Sequence, residues 1–208
     1  FNEAGDIWAP RYRQATFGAF LTTRPDAERA IDFAYADVLA AFDNFIAAVP
    51  SGRPIILAAH SLGCLAVARC AEPSPQPYGW PVAGALLVAP ADVDRNGAQA
   101  ELKGFAPTPR TPLPFPSIVV ASSDDPWVTP ARAHSMAADW GSHFVDAGPQ
   151  GHLNAASGVG WWREGQDLLN RVIAASGDGR GQALPPATAR SILAISATDA
   201  AQSHYLGG

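Results

Sequence analysis

Residues 55–71 read IILAAHSLGCLAVARCA, and the character of the sequence changes in the middle of this stretch. Residues 55–59 form a continuous apolar run, which is typical of a strand buried on both faces of a parallel sheet. Residues 63–71 are small and apolar, with spacing that suits a helix. His60 and Ser61 lie at the sharp join between the two, where polar side chains indicate chemistry rather than packing.

The sequence Ala59-His60-Ser61-Leu62-Gly63 fits the nucleophile elbow G-x-S-x-G, except that alanine replaces the first glycine. Small residues on both sides of the serine let strand and helix approach closely, and one extra methyl group is tolerable there. The strained turn of an elbow exposes the Ser61 hydroxyl, and the Leu62 N–H at the helix N-terminus can face an oxyanion. The alternative is that Ser61 is only a helix N-cap.

An elbow serine needs a base and an acid that orients it, and both follow later strands in the order serine, acid, histidine. Asp124 and Asp125 follow the predicted strand at 117–121, and His152 follows the predicted strand at 143–146. The order predicts His152 as the base and Asp125 as the acid, with Asp124 as the alternative acid. Taken singly, Asp125 would be a turn residue before a proline, and His152 a loop histidine bonded to the backbone.

Other polar and aromatic residues carry weaker signals. His60, beside the nucleophile, is expected to shape the pocket that binds substrate or the oxyanion, or to pack there, rather than to act as the base. Asp92 and Asp94 are expected in a loop or at a cap, with the pocket lining as the alternative. Trp161 and Trp162 are expected in the core, with an apolar wall near the base as the alternative. No spacing of histidine, cysteine and acidic residues suggests a metal site, and neither a metal nor a cofactor is expected.

Strands and helices alternate along most of the chain. Helices are predicted, from apolar residues at three- and four-residue steps or from local composition, at 26–49, 63–71, 129–140 and 162–175. Strands are predicted at 7–9, 55–59, 82–89, 117–121 and 143–146. This alternation predicts an α/β fold, with helical layers on a mostly parallel central sheet. The proline-rich insert at 92–116 is expected to be irregular and includes a candidate pocket rim at 103–116.

The chain is interpreted as one α/β domain over 1–176, followed by a tail at 177–208 that is rich in small residues. Within that tail, the stretch SILAIS at 191–196 is the candidate for a strand. It could add one strand to the sheet, as in a circular permutation, with the loop at Thr198 and Asp199 near the elbow. A loosely packed tail is the alternative.

Composition excludes several classes of protein. Nearly half of the 208 residues are apolar and 16% are charged, which argues against disorder. A net charge of −5 gives no electrostatic reason to expect nucleic acid or an anionic membrane as partner. No apolar run approaches the roughly 20 residues of a membrane span. The two cysteines, Cys64 and Cys70, cannot pair with each other on one helix, and without a signal-peptide pattern a cytoplasmic location is expected.

Residues 55–174 resemble the small serine hydrolases related to retinoblastoma-binding protein 9. The resemblance is carried by stretches such as AHSLGCLAVAR, VAGALLVAPADVDR and GHLNAASGVGWWREG. It implies an α/β-hydrolase fold, hydrolase or esterase-type chemistry, and a triad of Ser61, Asp125 and His152. Residues 1–54, through IWAPRYRQATFGAF and AIDFAYADVLAAFDNFIA, are similar instead to bacterial lysophospholipase-like α/β-hydrolases.

In both groups a strand and an oxyanion-hole loop would precede the first element of this chain, so a fold that is minimal or truncated at the N-terminus is expected. The Leu62 N–H is then the one donor that can be named, and loss of a second donor costs about 3–4 kcal/mol of transition-state stabilisation. The predicted function is hydrolysis of a small-molecule carboxylic ester through an acyl-enzyme. A catalytically weak or inactive interaction module of the same fold is the alternative, and amide hydrolysis is a third hypothesis.

Overall fold

The computed structural model describes residues 5–9, 40, 41, 44, 45, 47–49, 53–71, 82–98, 105–178 and 190–196. The strands in this part of the chain are β1 Gly5–Trp8, β2 Ile55–His60, β3 Val82–Val88, β4 Ser117–Ala121, β5 His143–Asp146 and β6 Arg190–Ser196. The α-helices that lie wholly within the described residues are α1 Leu62–Ala71, α2 Pro130–Asp139 and α3 Arg163–Asp178. Of the helix predicted at 26–49, residues 40, 41, 44, 45, 47 and 48 are helical, and most of the prediction lies outside the described residues.

All six strands belong to one sheet in the order β1-β6-β2-β3-β4-β5, and every neighbouring pair is parallel. In β2, Ile55, Leu57 and Ala59 pack into one core with α1 and α2, whereas Ile56 and Ala58 pack into a second core with α3. Successive strand residues point to opposite faces, so a strand covered on both sides must be apolar throughout. This arrangement confirms the predicted α/β fold with a parallel central sheet.

The C-terminal strand β6 lies inside the sheet, between β1 and β2. It runs parallel to β2, and its last residue Ser196 is in register with His60. The segment SILAIS therefore forms a strand that ends at the same sheet edge as β2. The predicted loop at Thr198 and Asp199 lies outside the described residues. The division of the chain into a domain at 1–176 and a tail at 177–208 stays a prediction.

The described parts of the insert, 92–98 and 105–116, contain neither strand nor α-helix, as the sequence predicts. They are held by hydrogen bonds to side chains of the helical layer. The indole N–H of the fully buried Trp140 donates to Pro109 O at 2.8 Å. Arg132 on α2 forms ion pairs with Asp92 and Asp94 at 3.2 and 2.8 Å, so these two acidic residues fasten the insert to the helix.

Helix α3 approaches the sheet closely at Gly84 of β3. A Cβ atom at this position would lie 2.6 Å from Val172 Cγ1 and 3.2 Å from Pro116 O. Real Cβ atoms do not come as close as 2.6 Å, so either the helix or the valine would have to move. The glycine therefore sets the distance between the sheet and the helix that covers its second core.

We expect Gly84→Ala to destabilise the protein by about 1–3 kcal/mol, because the added methyl group overpacks the contact with Val172. Urea unfolding measures the change. In a Val172→Ala background the clash is removed, and the cost of Gly84→Ala should be smaller there than in the unmodified protein. Equal costs in the two backgrounds would show that α3 does not limit the space at Gly84.

Candidate active site

Ser61 occupies the turn between β2 and α1 with a backbone φ of 56°. This left-handed conformation is unfavourable for a residue with a side chain, by about 1–2 kcal/mol, and persists where surrounding structure enforces it. The Ser61 N–H donates to Val88 O at 2.9 Å, and the Cys64 N–H donates to Ser61 O at 3.1 Å. Leu62 begins α1, and N–H groups in the first turn of a helix have no acceptor within the helix. The turn therefore has the geometry of a nucleophile elbow.

The structure brings Ser61, His152 and Asp125 together. Ser61 Oγ lies 3.0 Å from His152 Nε2, and His152 Nδ1 lies 3.0 and 2.9 Å from the two carboxylate oxygens of Asp125. A carboxylate can only accept, so Nδ1 carries the proton and Nε2 accepts from the serine hydroxyl. Three side chains separated by up to 91 positions in the sequence thus form one hydrogen-bonded chain.

This chain of side chains is shielded from solvent. The Asp125 side chain is fully buried, and Ser61 and His152 are 3% and 5% exposed. A buried carboxylate requires hydrogen-bond donors, and Asp125 has a second one in the Trp127 N–H at 2.8 Å. The Trp127 ring also lies 6.2 Å from the His152 ring, and the Arg95 guanidinium lies 5.3 Å from the centre of its ring. A positive charge on the imidazole would therefore face a buried carboxylate.

Asp124, the alternative acid, binds the backbone of the loop that carries His152. Its carboxylate accepts from the Ser122 hydroxyl and from the Gly151 N–H, both at 2.7 Å. The Ser122 hydroxyl oxygen also accepts from the Gln150 N–H at 2.8 Å. These donors stabilise the ionised form, and the Ser122 bond, followed by the Gly151 bond, holds the pKa of the Asp124 carboxyl below its usual value.

A short 3-10 turn at Ala155–Ser157 supports His152 from the other side. The His152 N–H donates to Ser157 Oγ at 3.0 Å, and the Ser157 hydroxyl donates to Asn154 Oδ1 at 3.0 Å. Gly151, with φ of 56°, faces the same serine, because a Cβ atom there would lie 2.6 Å from Ser157 Oγ. The position before the histidine therefore requires glycine for both its backbone conformation and its space.

His60 contacts the His152 segment directly. Its Nε2 lies 2.8 Å from the His152 carbonyl oxygen, and the two rings meet edge to face with centroids 4.7 Å apart. His60 thus joins the segments that carry Ser61 and His152. This contact is with the histidine segment, and the role of His60 in binding substrate or an oxyanion stays a prediction.

Sequence reasoning missed Ser122 and Ser157 as supports of the histidine loop. The spacings Ser122-x-Asp124 and Asn154-x-x-Ser157 are common in turns where side chains bind nearby backbone, but the spacing does not reveal a distant partner. Core packing was the wrong prediction for Trp161, which is 72% exposed, whereas Trp162 packs against the second core. Side chains of consecutive residues ahead of α3 point to different sides, so the Trp162 ring packs against the core and the Trp161 ring faces solvent.

The two cysteines differ in burial. Cys64 is completely buried beneath the elbow, and burial raises the pKa of its thiol, whose S–H donates to Val88 O at 3.3 Å. Cys70 is half-buried, and neither cysteine forms a disulfide. Within the described ranges, no group of histidine, cysteine and acidic side chains could hold a metal ion, and no helix has the length and apolar character to cross a bilayer.

The lowered pKa of the Asp124 carboxyl predicts a pH-dependent stability. The ionised carboxylate stabilises the fold above the unfolded pKa, and this stabilisation is lost as pH falls through the lower folded pKa. We expect the stability difference between the unmodified protein and Asp124→Asn to be constant near neutral pH and to shrink below about pH 4. The side chain is exposed, so solvent screening keeps the difference small.

Urea unfolding at a series of pH values measures this difference. In a Ser122→Ala background its pH dependence should weaken, because the strongest donor to the carboxylate is gone. A difference that stays the same from neutral pH to about pH 3 would contradict the role of the ionised carboxylate.

The fold of the chain is similar to the folds of solved structures. The chain is similar in structure to a YdeN-like hydrolase from Pectobacterium atrosepticum, at 29% sequence identity and a TM-score of 0.52, over 74% of this chain and 71% of that one. It is also similar to the ydeN gene product of B. subtilis, at 18% identity and a TM-score of 0.53, over 69% and 75% of the two chains, which supports the fold alone. No curated protein sequence matches the chain.

The parallel sheet with helices on both faces, shared with these structures, is the α/β-hydrolase fold. A family model described as serine hydrolase matches residues 22–171, which is well over half of the chain. The chain therefore belongs to the serine hydrolase family.

Proposed function

We propose that this protein hydrolyses carboxylic esters of small molecules through a Ser61–His152–Asp125 triad. The observation that carries the proposal is the buried, continuous chain of hydrogen bonds from Asp125 through His152 to Ser61. Membership of the serine hydrolase family supports the reaction class, and similarity to a hydrolase at 29% identity is consistent with it. Within that family, we infer a relation to the retinoblastoma-binding protein 9 group over 55–174, and to lysophospholipase-like hydrolases over 1–54.

The geometry suits a two-step acyl transfer. Ser61 Oγ attacks the ester carbonyl while His152 Nε2 takes the hydroxyl proton, and the protonated imidazole then gives that proton to the leaving alcohol. Water, deprotonated by His152, attacks the acyl-enzyme, and the returning proton restores the serine hydroxyl as the carboxylic acid leaves. Asp125 holds the imidazole with Nδ1 protonated and stabilises its positive charge in both steps.

The oxyanion that forms in each step needs donors at the elbow. The Leu62 N–H, in the first turn of α1, is the donor that we assign to it. In α/β-hydrolases a second N–H comes from a loop that follows another strand of the sheet. Strand β6 supports a similar arrangement here, because it is the parallel neighbour of β2 and ends at Ser196, in register with His60.

We expect Ser61→Ala to abolish labelling by a fluorophosphonate probe and to lower hydrolysis of a short-chain p-nitrophenyl ester on the order of 10⁴-fold or more.

Asp125→Asn should lower kcat by roughly 10³- to 10⁴-fold, because the amide favours the wrong imidazole tautomer. Asp124→Asn, whose amide oxygen can still accept from Gly151, should lose far less than Asp125→Asn. Ser135→Ala, at an exposed serine on α2, is the control.

The same experiment separates the two hypotheses for this fold. A well-folded unmodified protein that neither reacts with the probe nor hydrolyses the ester would support an interaction module without an adequate oxyanion hole. Ester turnover that persists in Ser61→Ala would show that another group is the nucleophile. Turnover of the matching anilide at a rate close to that of the ester would favour amide hydrolysis instead.

A further inference from the structure

His60 immediately precedes the elbow serine, and its side chain reaches the main chain of the candidate base. The ring is half-buried at the end of β2, and its Nε2 lies 2.8 Å from His152 O. A carbonyl oxygen can only accept, so His60 Nε2 carries a proton and donates it to this hydrogen bond. The same bond spans 92 positions of sequence and joins the segments that hold Ser61 and His152.

We propose that His60 is a positioning residue, which fixes the His152 peptide relative to the elbow through its Nε2–H. The proposal rests on the proposed function, since it assigns His60 a role in the same triad. In it, His60 does not touch the substrate and exchanges no proton with it. Its effect on catalysis passes through the place and orientation of the His152 imidazole.

The surroundings of His152 explain why one further hydrogen bond matters. The His152 N–H is held by Ser157, and the ring Nδ1 is held by Asp125. The next residue, Leu153, has a φ of 51°. This backbone conformation is unfavourable for leucine, so surrounding contacts must maintain it. His60 secures the remaining polar group of the His152 main chain, its carbonyl oxygen.

Because His60 is the neighbour of Ser61 in the chain, its contact with His152 fixes the distance between nucleophile and base. His60 belongs to β2 and is covalently joined to Ser61, whose φ is fixed by the elbow. A donor on residue 60 therefore ties the loop of the base to the strand of the nucleophile by the shortest covalent route. Misplacement of a catalytic group by about 1 Å can cost on the order of 100-fold in rate.

Two variants of His60 distinguish the effect of its hydrogen bond from the effect of its aromatic ring. In His60→Phe the aromatic edge-to-face contact with His152 is kept but no donor remains. In His60→Gln the side-chain amide nitrogen can take the place of Nε2 and donate to the same carbonyl. We expect His60→Phe to lower kcat for the p-nitrophenyl ester by about 10- to 100-fold with KM changed by less than about threefold, and His60→Gln to recover most of that loss.

The controls keep the result independent of stability. His143→Phe makes the same replacement at an exposed histidine on β5, away from the triad, and should leave kcat near that of the unmodified protein. Thermal melting and circular dichroism check that each variant is folded. If His60→Phe does not fold, His60→Asn replaces it, because its amide is one methylene group shorter than that of glutamine and falls short of the carbonyl.

Three results would overturn the positioning role. They are a kcat for His60→Phe equal to that of the unmodified protein, an equal loss in His60→Phe and His60→Gln, and a rise in KM with kcat unchanged. The last result would assign His60 to substrate binding. Failure of the unmodified protein to react with the fluorophosphonate probe or the ester would refute the proposed function itself. These two assays are therefore carried out on the unmodified protein before any His60 variant is compared.

Discussion

The hydrogen bond from the Ser61 N–H to Val88 O is the interaction on which the candidate site depends. It ties the turn after β2 to the end of β3 and holds Ser61 in the left-handed conformation that presents its hydroxyl. Ala89, the residue after β3, also has a positive φ and donates to Val120 O. Unfavourable backbone conformations thus follow two neighbouring strands at one edge of the sheet, where their cost is met by the packing of two large cores.

Two adjacent carboxylates bind different parts of the segment that carries His152. Asp125 contacts the imidazole of His152, whereas Asp124 contacts the N–H of Gly151, one residue earlier in the histidine loop. Side chains of neighbouring residues in an extended turn point apart, so one strand end can hold both the ring and its backbone. A loop histidine held at several points has little freedom to leave its place, which suits a general base that must lie within reach of one hydroxyl.

The sequence predicts the local parts of this structure well. The elbow, the buried strands and the order of acid and histidine follow from apolar runs, small residues and chain order, each readable within about ten residues. Contacts between distant loops are different. The bonds of Ser122 with Gln150 and of His60 with His152 depend on loop conformations that no pattern encodes. The choice between Asp124 and Asp125 needs side-chain directions as well, so the sequence alone leaves it open.

Strand β6 shows why topology is the hardest part to predict. Among the described strands, β1 has β6 as its one neighbour, so the first of these strands joins the sheet through the last. An ion pair between Arg53 and Asp6, at 3.0 Å, is the further link from β1 toward the start of β2. Without β6, the strand that leads to Ser61 would be an edge strand with unpaired backbone groups on one side. The C-terminal strand therefore protects the strand that carries the elbow, and the stability of the sheet and the geometry of the site depend on the same pairing.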